Sequence, residues 1–173
     1  MAGDFDFSAD HIAAASGAYE PQRLNHFVVR FAGLGTSKVI EKSLSSFTPP
    51  KRQIAAVTIP YANEERKVAG KVTVANASLV ITDYVDKDTW KDFHDWLDKV
   101  HDVRTGAIGY AKDYKKEGKI HYYGPNAETK RSWISSGCFP LSIESGQFSM
   151  DVADVNTLTV DMSVDRILPA ESA

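Results

Sequence analysis

The sequence predicts a mainly β (α+β) fold, an antiparallel β-sandwich or barrel with one packed α-helix. Several segments alternate apolar and polar residues with period two. One segment, residues 87–103, has helical periodicity instead. Strands lie before and after that helix in runs, an order that argues against a βαβ nucleotide fold.

The first strand is residues 23–31, where Phe27, Val29 and Phe31 share one face and His26, Val28 and Arg30 the other. Gly33 and Gly35 mark a turn. Residues 36–47 alternate again, with Ile40 and Leu44 against Glu41, Ser43 and Ser45, and Pro49 and Pro50 end the segment. Residues 52–60 form a third strand closed by Pro60. Residues 61–70 are polar and read as an exposed loop. A long strand, 71–84, changes face near Asn76, as a bulge would make it do.

In the helix, Trp90, Phe93, Trp96, Leu97, Val100 and Val103 form one apolar arc, and Asp86 or Asp88 caps the start. Both tryptophans are expected against a sheet. After Gly106, GYAKDYKKEGK reads as a polar, glycine-bounded connector. Residues 119–124 and 130–139 make a hairpin around the turn at 125–129, interrupted by Pro140. The last strand, 156–167, sets Leu158, Val160, Met162 and Val164 against Thr157, Thr159, Asp161, Ser163 and Asp165.

A chain of 173 residues favours one domain and buries enough surface to fold without disulfides. Residues 1–22, of low complexity, read as a flexible N-terminal arm that orders on assembly. The domain spans 23–168, and 169–173 is a C-terminal tail. Charged residues make up 25% and the net charge is −3, which argues weakly against a sequence-reading nucleic-acid binder. The one cysteine, Cys138, excludes an intramolecular disulfide and a cysteine-based zinc site. No basic leader and no membrane-spanning run are seen, so a cytoplasmically made chain with no membrane insertion is expected.

Some residues suggest chemistry. His94, Asp98 and His101 share one side of the helix and could ligate zinc, but charged residues belong at that edge anyway. Cys138 with His121 would be a thiol–imidazole pair, against the simpler reading of a buried inert thiol. Tyr122, Tyr123 and Trp133, flanked by Lys119, Lys130 and Arg131, would stack bases or form a cross-strand core. No nucleophile elbow, P-loop or dinucleotide fingerprint occurs. The expectation is no enzyme, no metal and no cofactor.

Four pieces, in order, resemble the tail tube family of contractile-tailed bacteriophages. They are NHFVVRF, TIPYANEERKVAGKVTV, DYVDKDTWKDFHDWLDKVHD and SGCFPLSIESGQFSMDVADVNTLTVDMSVDRI, together spanning about residues 23–167. Trp96 stands where that family commonly has tryptophan. The resemblance implies a structural virion protein located in the phage tail and assembled in the host cytoplasm. Its subunits would join an inter-subunit β-barrel in hexameric rings that stack into a tube for DNA ejection. The implied partners are other copies of the chain, the tail sheath, baseplate and tail terminator proteins. Tape measure protein and double-stranded DNA would occupy the lumen, without sequence-specific binding.

On this reading Glu144, Thr157, Thr159, Asp161, Ser163 and Asp165 face the lumen. An acidic, hydroxyl-rich wall repels phosphate and stays hydrated, whereas lysine or arginine would bind it. The alternative is an ordinary solvent face. Glu64, Glu65, Arg66 and Lys67 would contact a neighbouring subunit or ring, or form a solvated tip. Asp92, Asp95, Asp98 and Asp102 would meet the sheath, or solvent. The same tube could serve a genome-free contractile injection system, such as a tailocin or an extracellular injection system. A reading of another class is a small-molecule-binding β-barrel with an enclosed apolar pocket.

Overall fold

The computed structural model describes residues 22–34, 37–151 and 153–170. The proposed arm (1–22, apart from Gln22) and the last three residues of the proposed tail lie outside them.

Strand β1 (Phe27–Phe31) buries Val29 and Phe31, as its alternation requires. Residues 37–43 then depart from expectation. They form helix α1 (Ser37–Ser43), and only Leu44–Thr48 is a strand, β2. Ile40 and Leu44 are four apart, a spacing that satisfies both period two and a helical turn. The helix buries Ile40 and Ser43 together, and the Ser43 hydroxyl donates to the Val39 carbonyl at 2.7 Å.

The expected loop at 61–70 is also corrected. Strands β3 (Arg52–Tyr61) and β4 (Glu64–Val74) form one long antiparallel hairpin, turned at Ala62, whose φ is 53°. The charges at 64–67 disguise a strand as a loop. Ala75 and Asn76 break the predicted 71–84 strand, and β5 (Ala77–Thr82) follows with strict alternation of burial.

Helix α2 (Thr89–Val100) is shorter than the predicted 87–103. Asp88 occupies the N-cap without a side-chain capping bond. Its inward side is narrower than the predicted arc: Phe93 and Trp96 are buried, but Trp90 is 48% exposed and Val103 is 80% exposed. Only one tryptophan therefore packs inward. The Trp96 indole donates from Nε1 to the Tyr114 carbonyl at 2.7 Å and meets Phe31 edge-on at 5.9 Å. Tyr114 ends the one-turn helix α3 (Ala111–Tyr114) inside the expected connector, so the helix count exceeds one.

Strands β6 (Lys116–Tyr123) and β7 (Thr129–Ser145) form the expected hairpin. Pro140 does not interrupt β7. It is buried opposite Met162, beside a register shift that absorbs its missing N–H. Strand β8 (Thr157–Ser163) pairs with the C-terminal half of β7, and β9 (Arg166–Pro169) with its N-terminal half. The predicted 156–167 strand is thus split at Val164 and Asp165, and Pro169 belongs to a strand rather than a tail.

The main sheet runs β1-β6-β7-β8-β5-β2, with β9 also on β7, and β3-β4 stands apart. The two ends of this order approach each other, because Phe27 of β1 stacks on Phe47 of β2 at 6.3 Å. The sheet is therefore curled over a single core shared by β1, β5, β6, β8, α1 and α2. An Arg30–Glu41 ion pair at 2.6 Å ties α1 to β1 across the same gap.

Trp96→Ala should lower unfolding free energy by about 3–5 kcal/mol, since it empties a buried site and orphans a carbonyl. Trp90→Ala should cost under about 1 kcal/mol. Urea denaturation followed by circular dichroism distinguishes the two, and equal losses would contradict this packing.

Candidate functional site

Two surfaces stand out from the core. The first is the outward face of β2, β5, β8 and the C-terminal half of β7. Residues directly opposite in an antiparallel pair share a face. Ser78 lies opposite Asp161, Val80 opposite Thr159 and Thr82 opposite Thr157. On the next strand Ser142 and Glu144 lie opposite Asp161 and Thr159. On the other side Ser46 and Thr48 lie opposite Val80 and Ser78. Hydroxyls link these strands: Ser45 Oγ and Thr82 Oγ1 are 2.8 Å apart, and Ser142 Oγ donates to Asp161 Oδ2 at 3.3 Å. None of these register positions holds lysine or arginine, and the two charges present, Asp161 and Glu144, are negative.

Glu144, Thr157, Thr159 and Asp161 are therefore brought together on one surface. Ser163 lies at its end, opposite Phe139. Asp165 sits apart, in the bend beyond β8. Its backbone N–H donates to the Ser136 carbonyl, and its carboxylate pairs with Lys115. That pairing raises the Lys115 pKa, chiefly through the hydrogen bond to Asp165. The sequence reading missed Ser46, Thr48, Ser78, Thr82 and Ser142. Their alternation is visible in the chain, but only strand register places them beside Thr159 and Asp161.

The second surface is the β3–β4 hairpin, which pairs with no other strand among the described residues. Every residue of β3 is exposed. Ile54 pairs with Val72 on one side of the register shift between Ile54 and Ala56, while Val57, Ile59 and Val68 share the other face. These five side chains are each about half exposed. Gly70 lies within this face, where an added Cβ would press on Val57 and the Ala55 carbonyl. The four predicted contact residues open β4 and divide between its faces, Glu64 and Arg66 on the apolar side, Glu65 and Lys67 on the other. The Arg66 guanidinium lies 4.2 Å over the Tyr61 ring.

Of the proposed sheath residues, Asp95, Asp98 and Asp102 border one surface depression. Asp95 and Asp98 are exposed and Asp92 is partly covered. Asp102 is engaged in its own turn, accepting from the Arg104 N–H at 2.8 Å and the Thr105 hydroxyl at 2.9 Å, and the first of these bonds leads in lowering its pKa.

The chemical candidates are held in structural contacts. His94 stacks on Trp90 at 3.8 Å between centroids. Among the described residues no group of three or more His, Cys, Asp or Glu side chains is placed to hold a metal ion. Cys138 is buried, and desolvation pushes its thiol up to about 11. His121 is on a neighbouring strand, its pKa lowered first by burial and then by Arg30 and Lys119. Tyr122 and Trp133 share a cleft, whereas Tyr123 turns toward His121 and Lys130 pairs with Glu128. No described helix is long and apolar enough to cross a membrane.

No protein-family model matches the chain, and no curated protein matches its sequence at a significant level. Solved structures do match its fold. A chain of the anti-feeding prophage cap, the AFP tube terminating cap, superposes with a TM-score of 0.69 at 17% identity, covering 89% of this chain and 93% of that chain. A chain of the PVC sheath–tube complex of an extracellular contractile injection system, in the extended state, gives 0.69 at 16% identity, covering 91% and 97%. The SPP1 tail tube gives 0.50 at 8% identity, covering 86% and 78%. At these identities the likeness is one of fold, and the fold is that of tail-tube and contractile-system tube proteins.

Proposed function

We propose that this chain is a structural, self-assembling tube subunit that joins hexameric rings and stacks into a tube. The observation that carries the proposal is the β3–β4 hairpin. A two-stranded hairpin is marginally stable in water by itself. This one leaves five aliphatic side chains half exposed, three of them, Val57, Ile59 and Val68, together on one face. Covering each would contribute about 1 kcal/mol. A neighbouring copy supplies that cover, and the mixed charges of Glu64, Glu65, Arg66 and Lys67 set register between subunits or rings.

The face carrying Thr157, Thr159, Asp161, Ser142 and Glu144 is the lumen wall in this reading. Ser163 and Asp165 lie at its margin. The helix carboxylates of Asp92, Asp95 and Asp98 face the sheath. Baseplate and terminator proteins cap the tube, and tape measure protein fills it before use.

Two cargo readings follow. In a contractile-tailed phage the lumen carries double-stranded DNA, and a cation-free, hydroxylated wall lets phosphate pass without sticking. The second reading is a genome-free contractile injection system, in which the same tube carries protein or nothing. Purified particles should separate them: nuclease-protected DNA in intact particles supports the phage reading, and its absence supports the second.

Val57→Glu with Val68→Glu should leave circular dichroism unchanged. It should raise the concentration needed for rings or tubes at least about tenfold, through loss of hairpin burial. Negative-stain microscopy and sedimentation check this, and unaltered polymerisation would remove the hairpin from assembly.

Thr159→Cys tests the lumen wall. The native thiol, Cys138, is buried and protonated near neutral pH, so it should react slowly. A polymer-linked maleimide should label the thiol introduced by Thr159→Cys rapidly in subunits and about tenfold or more slowly in tubes, by steric exclusion from the lumen. Equal labelling in both states would place the face outside.

A further inference from the structure

Two exposed surfaces at opposite ends of β7 have complementary chemistry. The first is a cleft of about 630 Å³ between the base of the hairpin and the β6–β7–β9 side of the sheet. Pro49, Pro50, Tyr122 and Trp133 give it apolar walls, and Arg52 and Arg131 stand among its lining residues. Both arginines are exposed, and neither has a carboxylate partner among the described residues. Aromatic walls beside two unopposed cations fit an aromatic ring carried next to an acid.

The second surface offers that pair. Strands β7 and β8 are joined by residues 146–156, which include Asp151 and Asp154 and no lysine or arginine. The base of this loop is fixed. The Gly146 N–H donates to the Thr157 carbonyl at 2.9 Å, and the Asn156 side-chain amide donates to Asp83 Oδ2 at 3.2 Å. Beyond these anchors Phe148 is 80% exposed and Met150 is fully exposed. Asp154 is engaged within the loop, accepting from the Val155 N–H at 2.7 Å. The Asp151 carboxylate has no cationic partner among the described residues. Phe148 and Asp151 thus present a ring and an uncommitted acid within one turn of chain.

The loop does not serve the cleft of its own subunit. None of its described residues lines that cleft. Trp133 stands near the start of β7 and Ser145 at its end. The stretches on either side of Gly137 are about 13 and 26 Å long at ~3.3 Å per residue, so even a right-angle bend there keeps the two ends about 30 Å apart. Asp151, midway between Gly146 and Asn156, reaches about 17 Å at most.

We propose that the β7–β8 loop of one copy docks in the cleft of the next, with Phe148 against Tyr122, Trp133 and the prolines and Asp151 against Arg131 or Arg52. A contact between two different surfaces of the same chain is head-to-tail, and its repetition closes a ring or extends a stack. The contact deepens the tube reading and rests on it for the association of copies.

Sedimentation velocity and negative-stain microscopy over a range of concentrations test this. Asp151→Arg, Arg131→Glu and Phe148→Ala should each raise the concentration needed for association at least about tenfold, through like-charge repulsion or loss of the aromatic anchor. All three positions are exposed, so circular dichroism should not change. The double swap in one chain should restore association to within about threefold of native. An equimolar mixture of Asp151→Arg with Arg131→Glu should also associate, because every contact between unlike copies is again opposite in charge. Recovery in the double variant but not in the mixture would place the contact within one chain and overturn the proposal. Loss in Arg131→Glu with no effect of either loop variant would give the cleft to another occupant and overturn it as well. Native association untouched by all three variants would overturn this contact and leave the tube reading standing. A native chain that stays monomeric at every concentration, with no complex in the mixture, would overturn both.

Discussion

Strand β7 is the element on which the two halves of the molecule depend. Its first half pairs with β6 and β9, and its second half with β8. Between them stands Gly137, with φ of 70°, a conformation that side chains rarely adopt. A Cβ there would also fall on the Asp165 carboxylate. The glycine thus lets one strand bend between two partner sets, while the neighbouring strand breaks at Val164 and Asp165 opposite it. Without that bend the β1 and β2 ends of the sheet would not meet through Phe27 and Phe47.

The curl has a consequence for function. It turns the apolar residues of β1, β5, β6 and β8 inward together, against Ile40, Phe93 and Trp96. The hydroxyl and carboxylate residues of β5 and β8 then necessarily share the opposite surface, because strand side chains alternate. One geometric decision makes both the core and the polar face. The hairpin is excluded from this closure, which leaves its apolar side for another molecule.

Parts of this were legible in the chain. The alternation of residues 157–163 revealed both the buried Leu158, Val160 and Met162 and the polar Thr157, Thr159 and Asp161. The spacing of Phe93 and Trp96 revealed the helix. Other parts were not. Ile40 and Leu44 fit two periods, so α1 read as strand. The charges at 64–67 and the exposure of β4 removed the burial contrast by which a strand is recognised. Trp90 looked like a core residue because its helical angle is right, but α2 covers the sheet only with the side bearing Phe93 and Trp96.

The sequence by itself determined the class of the fold, the central helix and the inward side of each regular strand, because burial periodicity is a local property. Tertiary structure alone decided which strands are neighbours, and hence that Ser46, Ser78, Thr159, Asp161, Ser142 and Glu144 form one surface. It also decided that residues 52–74 project as a hairpin with an uncovered apolar face. Register and exposure depend on contacts between distant segments, and no period within a single segment encodes them.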